Sequence, residues 1–413
     1  MNPATSGPGA SRGKLEVQLD LIKSTLRDKK VEARESFSDD GDLDFLYQHG
    51  VILVRDRHLS QVQHVVGGGQ PVERFADGVT LYSLEGARIK ETIPALEAVE
   101  AMLGAGAATP NHIYSITPVW ACPASEPEVV DADTLPDPGV AGDGGEGVAI
   151  YVADTGLLED AASHAWLKGV DGKLDKLPPA DTGGVVKIPG YAGHGTFVAG
   201  VARCMAPDSA VHVVSDFGKA GALTEHEIVK RLDHGLSVGA DIICLSAGGG
   251  TRKDHPPLGF QAFWNRYRHY KGVVLVAAAG NNSSRRPFWP AAFPQVVSVG
   301  ALAANGRARA GFSDSGPWVD VYAPGEGLVN AYAAGTYEYR EPPNTGALRE
   351  FYGMARWSGT SFATPLVAGL IAARMSRTGE NGRRAADAIL AKARAQRIPG
   401  VGPVLKPGDG GMD

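Results

Sequence analysis

Cysteine is scarce in this chain, and basic charge is concentrated nowhere. Only Cys122, Cys204 and Cys244 occur in 413 residues. Odd in number and far apart, they form neither a disulfide framework nor the paired spacing of a zinc site. Such usage suits a reducing compartment. Lysine and arginine number 40 against 46 acidic residues, a net charge of -6. Without a basic run the chain is a poor match for nucleic acid. Long apolar runs are missing too. Stretches such as GVVLVAAAG at 272–280 fall well short of the roughly 20 residues that span a bilayer, so no membrane partner is expected. The opening, MNPATSGPGASRGKLEVQLD, has no apolar core of a secretory signal, and a cytoplasmic location is the expectation.

What is present is ordinary for a folded soluble protein: 43% hydrophobic and 21% charged residues. Glycine is the exception. It fills 54 of 413 positions, close to twice the usual share of about 7%. No G-X-Y period accompanies it, so tight turns and close backbone approaches are the expected cause. The length suggests two or three domains. Residues 1–30 read as loosely ordered, with a Gly, Ser and Pro-rich start. A small α/β domain follows over 31–121, with strands at 49–56, 79–86 and 113–120 and helices at 59–68 and 92–106. The Pro and acid-rich stretch 122–146 reads as a linker, and 398–413 as a loose tail.

Between them, residues 147–397 change pattern. GVAIYVAD (147–154), AVHVVSDF (210–217), DIICLSA (241–247), GVVLVAAAG (272–280) and VVSVGAL (296–302) are short continuous apolar runs. Strands covered on both faces read this way. Helical segments alternate with them, one opening on the capping box Thr224-x-x-Glu227. The fold class is therefore α/β: a doubly wound, mostly parallel sheet with helices on both faces.

Ligands of such sheets bind beyond the carboxyl ends of the strands. Asp154 ends the first of these strands and Asn281 follows the fourth. His194 opens a Gly-flanked helix in AGHGTFVAGVA (192–202), and Ser361 opens an apolar helix in WSGTSFATPLVAGLIAARM (357–375). Singly, each reads as a cap, turn or packing residue more readily than as a catalytic one. Together they supply a nucleophile, a base, a carboxylate to orient the base and a donor for an oxyanion.

The blocks VADTG, HGTFVAG and GTSFATPLVAG, in that order, closely resemble those of the subtilisin-like serine endopeptidases, the subtilases. AAAGNN (277–282), PAAFPQVVSVGAL (290–302) and FSDSGPWVDVYAPG (312–325) resemble the family's oxyanion block and flanking sheet segments. The resemblance implies roles. Ser361 attacks the scissile carbonyl, His194 takes and returns the proton, and Asp154 orients His194. The Asn281 amide and the Ser361 N–H bind the oxyanion. Ser246, Ala247 and Gly248 resemble one edge of the substrate cleft, Gly221 and Ala222 (with Leu223) the other. Phe288 falls where the family often has a small residue, so it is expected to shrink the primary specificity pocket and disfavour large P1 side chains.

Three departures stand out. The family's second histidine in HGTHVAG is Phe197 here. The stretch 200–214 runs straight into the next strand, with no insertion for a calcium loop, so no cofactor is expected. An insertion at 325–357 either covers the cleft or is a solvated loop. Two decoys are set aside: the second Asp-Thr-Gly at Asp181 has no strand before it, and His226-Glu227 lacks the second histidine of a zinc motif, Lys230 standing there. The partners implied are a protein or peptide substrate and the chain's own N-terminal domain, either as an inhibitory prodomain that is cleaved or as a domain never removed. Two other functions stay open: a peptide-binding or regulatory protein on the same scaffold, and a transpeptidase or macrocyclase using the same acyl-enzyme.

Overall fold

The computed structural model describes residues 8–116, 125–215, 217 and 221–410, with backbone alone for 8–12 and 14. Contrary to the loose start expected through residue 30, α1 (Pro8–Asp28) is a helix. Its Leu19, Ile22 and Leu26 share one face and are buried with Leu43, Leu46, Ile113 and Ala222. That buried stripe outweighs the Gly, Ser and Pro content of the first turns. There follow β1 (Ala33–Phe37), β2 (Leu43–Arg55), α2 (Leu59–Val66), β3 (Gln70–Ala76), β4 (Val79–Ser83), α3 (Thr92–Leu103) and β5 (Ala108–Ser115). The strands form an antiparallel sheet in the order β5-β2-β4-β3, with β1 also on β2. Helices α2 and α3 cover part of it through Val62, Val66, Leu96 and Val99. Of the strand expected at 113–120, residues 117–120 lie outside the described residues.

The stretch expected to be a linker is anchored over its described part. β6 (Glu128–Val129) pairs with a later strand, Val130 is buried, and the Gly145 N–H donates to Ser376 Oγ at 2.7 Å. Its proline and acid content did not reveal these partners, which lie about 200 residues on in the chain. Cys122 and residues 123–124 lie outside the described residues.

The larger domain continues with β7 (Ala149–Asp154), β8 (Asp171–Gly172), β9 (Lys187–Ile188), α4 (His194–Met205), β10 (Ala210–Ser215), β11 (Ala222–Thr224), α5 (Glu225–Ser237), β12 (Ile242–Leu245), α6 (Leu258–Tyr267), β13 (Val274–Ala278), β14 (Val296–Leu302) and β15 (Val321–Pro324). Seven strands form a parallel sheet ordered β15-β14-β13-β12-β7-β10-β8. Strand β7 shows why its sequence is apolar throughout: Ile150 and Val152 face the core under α4, while Tyr151 and Ala153 face that under α5 and α6. The capping box of α5 forms as the sequence implied.

The 325–357 insertion is a hairpin, β16 (Leu328–Glu338) with β17 (Leu348–Trp357), flanked by β9 and β6 in a four-stranded sheet. It is not a solvated loop: Tyr332, Phe351 and Trp357 are buried in the main core. Helices α7 (Thr360–Thr378) and α8 (Gly382–Ala395) complete the domain. The tail beyond 398 is not loose over its described part. Val404 and Leu405 are buried, and Tyr322 exchanges backbone bonds with Pro403 and Leu405. Residues 411–413 lie outside the described residues.

The two domains share a sheet. β11 pairs antiparallel with β5, matching Ala222, Leu223 and Thr224 to Ser115, Tyr114 and Ile113. They share a core as well, where Leu53, Phe75 and Leu81 pack with Ile228, Leu232 and Phe263. Beside that core, the His112 and Glu225 side chains form a buried pair at 2.8 Å.

Candidate active site

Asp154 ends β7 in the middle of the parallel sheet, and α4 begins at His194. Both are almost fully buried. The His194 Nδ1–H donates to Asp154 Oδ1 at 2.7 Å, and the same oxygen accepts the Thr155 N–H at 2.7 Å. A proton on Nδ1 leaves Nε2 free to act as a base toward the cleft. Gly193 precedes His194 with φ 82, a left-handed conformation that a residue with a Cβ rarely adopts. Phe197, one turn into α4, packs on Phe362 at 4.4 Å between ring centres. Phe362 in turn contacts the His194 ring at 5.2 Å. The aromatic side chain at position 197, where a histidine was expected by resemblance, thus packs beneath the His194 imidazole.

Ser361 lies in the first turn of α7, which contains Pro365. Proline has no N–H to return to the carbonyl four residues back, so the Ser361 C=O needs another donor. Ser246 Oγ supplies it at 2.8 Å. Asn281 is oriented from the same helix: its Oδ1 accepts the Thr360 N–H at 2.7 Å and the Thr360 hydroxyl at 2.9 Å. With the oxygen tied down, the NH₂ end is the one left to donate. Thr360 was not legible as functional because its role is to fix another side chain. Trp357, also missed, stands perpendicular to the His194 ring with 5.4 Å between ring centres.

The cleft beside these groups is filled by the chain itself. Ser115 exchanges backbone bonds with Gly248, and the Ile116 N–H donates to the Gly221 carbonyl at 2.8 Å. The Ser361 hydroxyl donates to the Ile116 carbonyl at 3.1 Å, while His194 Nε2 is buried and unpartnered. Ser246, Ala247 and Gly248 thus border the strand on one side, Gly221 and Ala222 on the other. Phe288 lies beyond. Its ring comes within 2.4 Å of where a Cβ on Gly248 would stand and 2.9 Å of one on Gly280, so it occupies the space between those two backbones.

Near Asn281, Asp314 Oδ1 accepts the N–H groups of Asn282 and Ser284 at 2.9 and 2.7 Å. Burial pushes its carboxyl up to about 7, against these bonds and the Arg309 charge. Its folded value lies above its unfolded one, so the native state keeps a proton that the unfolded chain releases. Stability is therefore expected to fall as pH rises from about 4 through about 7. In Asp314→Asn, the melting temperature is expected to exceed that of the parent at pH 8, by a margin that shrinks as pH falls through about 7 and closes only below about pH 4, read by calorimetry. An advantage of the same size at about pH 8 and about pH 4 contradicts this.

Among the decoys, Asp181 is an exposed turn residue accepting the Gly183 and Val185 N–H groups. Among the described residues, no group of three or more His, Cys, Asp or Glu side chains is placed to hold a metal ion. Nor is any helix among them long and apolar enough to cross a membrane.

Comparison with known proteins places this geometry in context. A model of the subtilase family matches residues 145–399. The thermophilic serine proteinase of Bacillus sp. (strain AK1) is 32% identical over 277 residues, covering 64% of this chain and 60% of that protein. Thermitase of Thermoactinomyces vulgaris is 30% identical over 271 residues, covering 62% and 84% respectively. The crystal structure of fervidolysin from Fervidobacterium pennivorans aligns with a TM-score of 0.58 at 18% identity, over 91% of this chain and 62% of that one. That last likeness is one of fold. The chain spans less than two thirds of the length of the strain AK1 proteinase and of fervidolysin.

Proposed function

The chain belongs to the subtilase family of serine endopeptidases, and on that premise we propose that it hydrolyses peptide bonds and is restrained by its own N-terminal domain. The observation that carries this reading is the buried His194–Asp154 pair beside Ser361, with a peptide strand already laid across it. In the reaction, Ser361 Oγ bonds to the scissile carbonyl carbon as its proton passes to His194 Nε2. The carbonyl oxygen becomes an oxyanion held by the Asn281 NH₂ and the Ser361 N–H, at the positive end of α7. His194 then gives the proton to the leaving nitrogen, and the C–N bond breaks. Water, deprotonated by His194, releases the acyl group and restores Ser361. Asp154 stays ionised throughout and stabilises the imidazolium.

The same geometry supports the restraint. A strand that pairs with both cleft edges and takes up the Ser361 hydroxyl competes with substrate for them. Covalent linkage raises its effective concentration to about the millimolar range. The finer reading is a regulated, intracellular processing protease. The buried, unpaired Cys204 and Cys244 support a reducing compartment; recovery of the chain from culture medium and not from cell lysate opposes it.

Digestion of a peptide library by the full chain, with Ser361→Ala as control, tests the activity. Cleavage that survives Ser361→Ala contradicts the proposal. The same library tests specificity. With Phe288 between Gly248 and Gly280, cleavage is expected after small residues, and Phe288→Gly is expected to raise kcat/KM for Phe or Tyr at P1 by roughly 10-fold or more. A parent profile dominated by Phe, Tyr or Trp at P1 refutes this.

A further inference from the structure

Helix α4 begins at the catalytic base itself, and its N-cap, Gly193, has no side chain with which to cap the first turn. The orphan N–H groups of a helix start must then find acceptors elsewhere. Asp175 provides one: its Oδ2 accepts the Gly193 N–H at 2.8 Å. The same carboxylate is hydrogen-bonded to the Thr155 side chain. Thr155 Oγ1 accepts the Gly195 N–H at 3.0 Å, which leaves the hydroxyl proton for Asp175. One carboxylate thus holds the backbone on both sides of His194, directly at Gly193 and through Thr155 at Gly195.

Asp175 is itself fixed. Its N–H donates to the Leu157 carbonyl at 2.8 Å, and the Leu157 N–H donates to the Lys173 carbonyl at 2.9 Å. Segment 173–175 therefore runs against the turn that leaves Asp154. Burial raises the Asp175 carboxyl above its usual range; the bonds from Gly193 and Thr155 oppose this, Asp154 adds to it and His194 opposes it. Among the described residues, the aromatic rings near His194 carry no charge. Phe362 and Trp357 are apolar neighbours. Tyr332, close to Gly193, stays a neutral phenol because burial pushes its hydroxyl far up.

We propose that Asp175 is a positioning residue of the proposed hydrolysis: it caps the catalytic helix from a neighbouring segment, locks the backbone around His194, and adds a second negative charge that stabilises the imidazolium. The consequence rests on the protease reading, but the decisive test does not need activity. In the full chain carrying Ser361→Ala, the His194 ring is titrated by NMR with and without Asp175→Asn. Asparagine keeps an oxygen for the Gly193 N–H while removing the charge and one acceptor, so the fold is expected to persist. The midpoint of the ring titration is expected to move to lower pH, since the cation loses a stabilising neighbour. An unchanged titration overturns the electrostatic role. In the parent chain, Asp175→Ala is expected to lower kcat by roughly 10-fold or more with KM little changed. An unchanged kcat overturns the positioning role. A chain without hydrolytic activity would remove the protease reading and leave the titration to decide on Asp175.

Discussion

Ser361→Ala is expected to lower peptide hydrolysis by about 10⁶-fold, the magnitude known for subtilisin, a relative of this chain. It also abolishes covalent labelling by a fluorophosphonate. The size of the effect comes from the unit that the side chains form. Without the hydroxyl there is no acyl-enzyme, and His194 has no proton to move. His194→Ala is expected to cost about as much, and the double variant little more than either alone, because groups that act as one unit are not additive. What remains over the water reaction is the share of the oxyanion donors, Asn281 and the Ser361 N–H, and of substrate binding. Steady-state kinetics on one peptide across the three variants checks this. Single-variant losses that simply add in the double variant contradict a coupled triad.

Ile116→Asp is expected to raise the activity of the full chain by roughly 100-fold. Ile116 is nearly fully buried, in the same core as Val214, Phe217 and Leu223. A carboxylate cannot be buried there without a partner, at a cost of several kcal/mol, so the strand must leave the cleft. Its departure returns the Ser361 hydroxyl to His194 and opens both edges to substrate. The gain is bounded by how strongly the tether concentrates the inhibitory strand, about millimolar for a short link. The remaining domain contacts, such as His112 with Glu225 and Arg252 with Glu100 at 2.7 Å, are untouched. Circular dichroism is therefore expected to be unaltered. Unchanged activity in a folded variant shows that the strand does not gate the site.

The larger domain was legible in the sequence because its strands are buried on both faces. A run such as VAIYVAD has no other reading once helical segments alternate with it, and the strand ends and helix starts are where chemistry sits in such a sheet. Asp154, His194, Asn281 and Ser361 announce themselves through short, dense motifs. What stayed hidden lies in pairings across long separations. Nothing local to IYSI at 113–116 says that this strand will meet Gly221 and Gly248 more than 100 residues later. Strand β6 and the tail around Val404 were hidden for the same reason. Asp175 was missed because its surroundings, GKLDKLPP, are those of a polar loop, and its meaning depends on Gly193. Helix α1 was the avoidable error: Leu15, Leu19, Ile22 and Leu26 stand at helical spacing, but the composition of the first turns masked the stripe.

The most direct test of a serine protease held shut by its own strand is the rate at which a fluorophosphonate labels Ser361. Three full-length chains are compared in parallel: the parent, Ile116→Asp and Ser361→Ala, with the modified residue located by tandem mass spectrometry. Slow labelling of the parent, fast labelling of Ile116→Asp at Ser361 alone, and none in Ser361→Ala is the expected result. A parent labelled as fast as Ile116→Asp, or label found in the Ser361→Ala chain, contradicts it.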